Sequence, residues 1–326
     1  MSDRPAAVVL AAGQGRRMRS SLPKVVHEVA GRPMVAHVVR AARTLGADPV
    51  VVVVGAGADR VREALAGEAV AFATQSRPLG TGHAFASARE ALGAWAGPVF
   101  CLNGDGPTVT AASLEAMQRL QQGGPRPGEG MTLMTVTADD PTGLGRVVRD
   151  EAGRVRAIVE EKDASDATRR IREISPGVFL FDATALRRAA ALGRDNAQGE
   201  AYVTDLPAAY LADGAPVRAY HAEDPREGLA ANDRAQLAVL ERVMRDRVRA
   251  RWLNEGVTMA SPETTFIDDG VVLAQDVVLE PFVVLKGGTR VGDGARIGAG
   301  AHLQDCEVAA GAWVPPHALA SEARFG

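Results

Sequence analysis

Between Gly13 and His27 the chain carries four cations, Arg16, Arg17, Arg19 and Lys24, and no acid, and the segment opens on Gly13-Gln14-Gly15. Glycines let a backbone come close to phosphate oxygens, and free N–H groups in such a turn bind anions. The chain as a whole has 37 Lys+Arg against 40 Asp+Glu, a formal net charge of −3, so this local positive excess is not a general property of it. The segment therefore calls for an anionic partner. Its spacing does not match G-x-x-x-x-G-K-S/T, and the third glycine of G-x-G-x-x-G is missing, which disfavours an ordinary P-loop and a dinucleotide site. A solvated basic loop after a strand has the same composition.

Other tempting features reduce to structure. Gly55-Ala56-Gly57 lacks a third glycine and a suitably placed acid, so it reads as a tight strand-to-helix turn. His27, His37 and His83 have no metal-ligand spacing and read as packing or surface residues; Cys101 reads as a small core residue. Two cysteines, Cys101 and Cys306, exclude a disulfide-stapled scaffold and a cysteine-rich zinc site. At 46% hydrophobic and 24% charged residues the chain is an ordinary globular one, not a disordered one. The near-neutral charge argues against a general nucleic-acid binder. No apolar signal region precedes Ala6, and the run Val50-Val51-Val52-Val53-Val54 is far short of the roughly 20 residues that span a bilayer. No membrane partner is expected, and a cytoplasmic protein is the default.

The elements that must position the glycine turn alternate in type. Ala6–Ala11 reads as a buried strand, a helix follows from about Pro33 with Gly46 as its stop, and Val50–Val54 is the next strand. A helix near Asp59–Ala66, a helix that Thr81 could cap running to Leu92, and a strand over Pro98–Leu102 continue the alternation. This order predicts a mainly parallel sheet with helices on both faces, which binds ligands beyond the carboxyl ends of its strands. Gly13-Gln14-Gly15 and Asn103-Gly104-Asp105 both fall at such ends.

The 326 residues suggest about two domains. Thr132–Thr137, a hairpin over Arg146–Glu160 turning near Glu151-Ala152-Gly153, and Val178–Phe181 read as strands, while Gly123–Gly128 is a loop. A helix runs from about Asp233 to Trp252. After Pro262 aliphatic residues recur every six positions: Val271, Val277, Val283, then Val291, Ile297, Leu303, and later Val308 and Val314. That is a hexapeptide parallel β-helix of about three coils.

Leu10-Ala11-Ala12-Gly13-Gln14-Gly15-Arg16-Arg17-Met18 with Pro23-Lys24 resembles the signature of sugar-phosphate nucleotidylyltransferases. More narrowly, the chain resembles the bifunctional N-acetylglucosamine-1-phosphate uridyltransferase/glucosamine-1-phosphate acetyltransferase family. The resemblance is carried by Pro23-Lys24-Val25-Val26-His27, Leu79-Gly80-Thr81-Gly82-His83-Ala84, Asp140-Pro141-Thr142-Gly143, Val159-Glu160-Glu161-Lys162-Asp163-Ala164 and Asn196-Ala197-Gln198-Gly199-Glu200. It implies an α/β, Rossmann-like nucleotide-diphospho-sugar transferase domain over residues 1–231, a linker helix over 232–254 and a short left-handed parallel β-helix over 255–326.

The resemblance also implies a reaction: a sugar-1-phosphate oxygen attacks the α-phosphorus of UTP, and pyrophosphate leaves. The attacking phosphate is already ionised, so positioning and charge neutralisation supply most of the rate. Arg17 and Lys24 would hold the triphosphate. Leu10, Ala11, Ala12, Gly13, Lys24, Gln75, Gly80 and Thr81 would bind the nucleotide, and Asn103, Gly145, Glu160, Ser175, Tyr202 and Thr204 the sugar. Asp105 and Asn232 would hold Mg²⁺. UTP and N-acetylglucosamine-1-phosphate are the implied substrates, and a homotrimer through the β-helix is implied as the assembly. Read without the resemblance, Asp105 could simply stabilise a turn, Asn232 and Thr81 could cap helices, and Glu160 would more often be a surface charge.

Departures from the family pattern cluster near the sugar. The chain reads Asn103-Gly104-Asp105-Gly106-Pro107 where Tyr-Gly-Asp-Val-Pro is usual, Leu144 where a tyrosine is expected, and Ser175-Pro176 where asparagine and threonine are expected. They leave two alternatives, a different sugar-1-phosphate or nucleotide, or a catalytically weak trimer-forming regulatory paralogue. The stack of about three coils ends before the residues the family uses for acetyl-CoA, so no acetyl transfer is expected.

Overall fold

The computed structural model describes residues 4–123, 126–194 and 198–326. These form two compact units, one from residues 4–27 and 34–236, the other from Glu28–Pro33 and Leu237–Gly326.

In the first unit the strands are β1 (Ala6–Ala11), β2 (Val50–Val54), β3 (Ala71–Thr74), β4 (Val99–Asn103), β5 (Met131–Thr137), β6 (Gly145–Arg149), β7 (Val155–Val159), β8 (Glu173–Ser175), β9 (Val178–Phe181) and β10 (Val217–His221). They lie in the order β3-β2-β1-β4-β9-β5-β8-β6-β7, with β10 also pairing β5. The first four are parallel, with Val9 registered on Val52 and Leu102. Side chains alternate across the sheet, so β1 feeds two cores: Ala7, Val9 and Ala11 one face, Ala6 and Val8 the other. A strand buried on both faces needs apolar residues at every position, which is why the five valines of β2 are all buried.

The expectation of a mainly parallel sheet needs correction. Strand β9 runs antiparallel to both β4 and β5, and the hairpin β6–β7 joins through the antiparallel β8, so the sheet is mixed. The short strands β3, β8 and β10 have no clean apolar period. β8 is only three residues long, and β3 and β10 alternate poorly. The helices that follow the first strands are α1 (Met34–Thr44), α2 (Ala58–Ala64) and α3 (Thr81–Ser87), of which α3 lines the site. Helix α3 stops at Ser87 and a separate turn covers Arg89–Leu92; its N-cap is Gly80, and Thr81 is its first residue. Helix α4 (Ala111–Gln122), which the sequence pattern did not mark, is capped by Thr110, whose side chain accepts from Ser113 N–H.

The helix Arg234–Asn254 leads into the second unit, a short left-handed parallel β-helix of two- and three-residue strands stacked on three faces. Each face is four strands deep, one more than about three coils, because in the first layer the six-residue spacing holds only from Thr265 and Ile267 onward and not back to Met259. The apparent phase break between Val283 and Val291 also has a structural cause. Two inward rows run two residues apart, one through Val271, Val277, Val283, Thr289, Ala295 and Ala301, the other through Leu273, Leu279, Leu285, Val291, Ile297 and Leu303, all buried. The aliphatic spacing of the sequence follows the first row to Val283 and the second from Val291. The five-residue step from Leu303 to Val308 is a coil one residue short, seen as the Arg290–Glu307 register. Among the described residues no helix is long and apolar enough to cross a membrane.

Candidate active site

The glycine turn and the Asn103-Gly104-Asp105 turn leave the carboxyl ends of the neighbouring strands β1 and β4, and Gly104 N–H donates to the Leu10 carbonyl at 2.9 Å. A cleft opens there in two lobes. The first, about 320 Å³, is lined by Leu10, Ala12, Gly13, Lys24, Gln75, Gly80, Thr81, Asn103 and Asp105 among others. The second, about 220 Å³, shares Leu10, Thr81, Asn103 and Asp105 with it and adds Gly145, Glu160, Ser175, Thr204 and Asn232. Residues from every part of the first unit thus converge on one cleft.

At the seam of the lobes the Lys24 ammonium pairs with the Asp105 carboxylate and donates to Asn232 Oδ1 at 3.1 Å. Both charged side chains are about 15% exposed, so this cation is held mostly away from water. The pair of oxygens converges on a positive charge, which fits the donor chemistry of a hard divalent ion. Among the described residues no group of three or more His, Cys, Asp or Glu side chains could hold a metal, so an ion here would complete its shell from phosphate and water. Asn232 does not cap the following helix: Asp233 does, accepting from Gln236 N–H at 2.9 Å.

Hydrogen bonds tie together the two segments that carry these oxygens. Ala231 N–H donates to the Asp105 carbonyl, and Thr108 Oγ1 to the Leu229 carbonyl at 3.2 Å. Glu227, 7% exposed, accepts from Thr110 N–H, Thr110 Oγ1 and Ser113 Oγ at 2.9, 3.0 and 2.7 Å. Its carboxylate sits against the first turn of α4, where negative charge is favoured. No sequence signal pointed to Glu227, because its partners are more than a hundred residues away.

In the first lobe Gly80 has φ +101, and a Cβ there would stand 2.3 Å from the Ala201 carbonyl oxygen, so no side chain is tolerated. The segment around Ala201 is laced to the same turn: Gly82 N–H donates to Ala201 O at 2.7 Å, and Val203 N–H to Thr81 Oγ1 at 3.0 Å. Thr81 therefore tethers the far wall instead of capping its helix. Gln75 Nε2 donates to Gly80 O at 3.0 Å and lies 3.1 Å from His83 Nδ1. His83, read from sequence as packing or surface, is part of the wall's hydrogen bonding. Glu200 also lines this lobe, whereas Asn196 and Ala197 of the same motif lie outside the described residues.

In the second lobe Glu160 accepts from Thr204 Oγ1 at 2.8 Å. Burial pushes the Glu160 carboxyl above the usual carboxylate range, Thr204 draws it back, and the nearby Asp205 and Asp163 charges add to the upward push. Ser175 is buried beside Gly145 in the β8–β6 register. A Cβ at Gly177, φ +79, would stand 1.9 Å from Asn103 Nδ2, so that glycine gives Asn103 its place.

Three residues assigned by resemblance are not brought to the lining. Ala11 is buried within β1. Arg17 is exposed, because its three-residue turn, Arg16–Met18, spends its inward position on Met18. Tyr202 packs inward, with its hydroxyl oxygen accepting from Gln198 Nε2.

Residues 7–256, three quarters of the chain, match the family described as the MobA-like NTP transferase domain. The chain belongs to that family. Residues 270–305 match the bacterial transferase hexapeptide, six repeats. Similar curated proteins include the "Bifunctional protein GlmU" of Kineococcus radiotolerans, 48% identical over 315 residues, which cover 95% of this chain and 63% of that protein. That of Pelobacter propionicus is 45% identical over 281 residues, 85% of this chain and 60% of that one. That of Brevibacillus brevis is 44% identical over 309 residues, 94% and 66%. The NTP transferase chain thus spans about three fifths of the length of the curated relatives it matches.

Proposed function

We propose that this protein transfers UMP from UTP to N-acetylglucosamine-1-phosphate, forming UDP-N-acetylglucosamine and releasing pyrophosphate. The observation that carries the reading is the Lys24 ammonium held by Asp105 and Asn232 where the two lobes meet. A nucleoside triphosphate in the first lobe and a sugar phosphate in the second would bring the nucleophilic oxygen and the α-phosphorus together at that charge. In this reading one P–O bond forms to the sugar phosphate as the bond to pyrophosphate breaks, and no proton needs to be removed.

Asp105 and Asn232 would hold Mg²⁺, which when bound neutralises phosphate charge. Lys24 neutralises charge on the triphosphate oxygens, the backbone of Ala12 and Gly13 leaves room for the nucleotide, and Glu160 with Thr204 accepts from and orients sugar hydroxyls. Orientation and charge neutralisation of this type carry most of the rate in phosphoryl transfer. The proposal rests on Lys24 more than on Arg17, which stands outside both lobes. Ser175, buried in the sugar lobe where the resemblance expects asparagine, favours a second reading in which a different sugar-1-phosphate is preferred. A homotrimer through the hexapeptide coils belongs to the same proposal, and light scattering tests it. The curated relatives are called bifunctional, and the proposal covers the nucleotidyl-transfer half only.

Pyrophosphate release from UTP and Mg²⁺ with a panel of sugar-1-phosphates tests the reading. Release with N-acetylglucosamine-1-phosphate, lost in Asp105→Ala, supports it. Release with another sugar alone moves the assignment to the second reading, and no release with any sugar overturns both in favour of a regulatory protein.

A further inference from the structure

One nitrogen in the nucleotide lobe makes two hydrogen bonds, and together they fix what the lobe can read. Gln75 follows β3, its N–H donating to the Val54 carbonyl at 2.8 Å, and its side chain lines the lobe beside Ala12, Gly13 and Thr81. The Gly80 carbonyl, 3.0 Å away, can only accept, so the amide atom facing it is the NH₂ nitrogen, and this is the first of two contacts that together hold the amide in its orientation. That nitrogen has one hydrogen left, and His83 Nδ1 lies 3.1 Å from it. Nδ1 must then be the acceptor, with the ring proton on Nε2. The ring itself stands in the first turns of α3, where the His83 carbonyl accepts from Ser87 Oγ at 2.8 Å, and it lines a separate cavity with Ser87, Leu192 and Arg194. Both amide donors are occupied. Oε1 is left with no partner among the described residues.

We infer that His83 is a positioning residue for nucleobase choice: by holding the Gln75 NH₂, it leaves a lone acceptor facing the base, which selects a pyrimidine bearing an N–H at position 3. Uracil carries that hydrogen, while cytosine presents a lone pair there and would leave two acceptors facing each other. A site built to accept from a ligand N–H discriminates strongly against an analogue without it, because the buried acceptor is left unpaired. The inference rests on the reading of this lobe as a nucleoside triphosphate site. It extends that reading to the base edge and to a histidine outside the cleft lining.

Calorimetric binding of Mg·UTP and Mg·CTP to the full chain, in wild type, His83→Phe and His83→Asn, tests it without depending on turnover. Phenylalanine fills the space but accepts nothing, so the freed amide can present its NH₂ to the base and the UTP:CTP affinity ratio falls about tenfold, about the worth of one net hydrogen bond. Asparagine places an acceptor near the position of Nδ1 and keeps the ratio within about threefold of wild type. If His83→Phe weakens both nucleotides equally and leaves the ratio unchanged, His83 is merely structural and the inference is overturned alone. A wild type that binds neither nucleotide overturns the function reading and the inference with it.

Discussion

The Lys24 ammonium donates to Asn232 Oδ1 at 3.1 Å across 208 positions of sequence, and the same ammonium pairs with Asp105. An ammonium and a divalent cation seek the same oxygens, so the lysine occupies the very position that the two oxygens would offer a metal. Lys24→Met keeps the oxygens and removes the competitor. Mn²⁺ binding in the absence of nucleotide, read by electron paramagnetic resonance, is expected to tighten several-fold, while transfer falls on the order of 10³. Weakened Mn²⁺ binding would mean that the lysine supports the site instead of competing for it.

Glu160→Gln separates stability from sugar binding. The native Glu160 carboxyl holds its proton more tightly than in the unfolded chain, chiefly because it is buried. Over the interval from the ordinary glutamate value up to its native value the native state binds more protons, so its contribution to stability is lost as pH rises through that interval. Glutamine has no such loss and keeps an acceptor for Thr204. The variant should melt higher than wild type at neutral pH, with the difference vanishing below about pH 4. Its kcat/KM for the sugar phosphate should fall about 10- to 100-fold, the worth of a hydrogen bond to a charged group. A variant no more stable at pH 7.5 than at pH 4, relative to wild type, would contradict this.

Glu227→Ala removes the acceptor for three donors in the first turn of α4. Urea unfolding should show a loss of about 2–3 kcal/mol with an unchanged denaturant slope. Mn²⁺ affinity should fall as well, because the segment carrying Asn232 loses its hold on the segment carrying Asp105. A loss below about 0.5 kcal/mol would show the donors finding water instead.

Ser175→Asn places a carboxamide in the second lobe, where the proposed sugar phosphate would bind. Its expected effect is a shift of sugar preference toward N-acetylglucosamine-1-phosphate of about tenfold in relative kcat/KM, with the KM for UTP unchanged. An unchanged sugar ratio would remove Ser175 from the sugar contacts.

The sequence alone determined the strongly patterned parts. β1 and β2 are legible because burial on both faces demands an unbroken apolar run, and the β-helix because an inward side chain must recur every six residues. The cationic, glycine-rich turn was legible as a candidate anion site because both of its properties are local. What tertiary structure decided is everything that depends on residues distant in sequence. The antiparallel insertion of β9 beside β4, the alternation between two inward rows of the β-helix, and the fourth layer on each face follow from packing, not from period. Arg17 reads as well as Lys24 in sequence, yet a three-residue turn has one inward position and Met18 takes it. Lys24 finds Asp105 and Asn232, Glu227 finds Thr110 and Ser113, and Gln75 finds His83 only once the chain is folded. A hydrogen bond depends on distance and angle between two atoms, and linear spacing fixes neither when the partners belong to different elements.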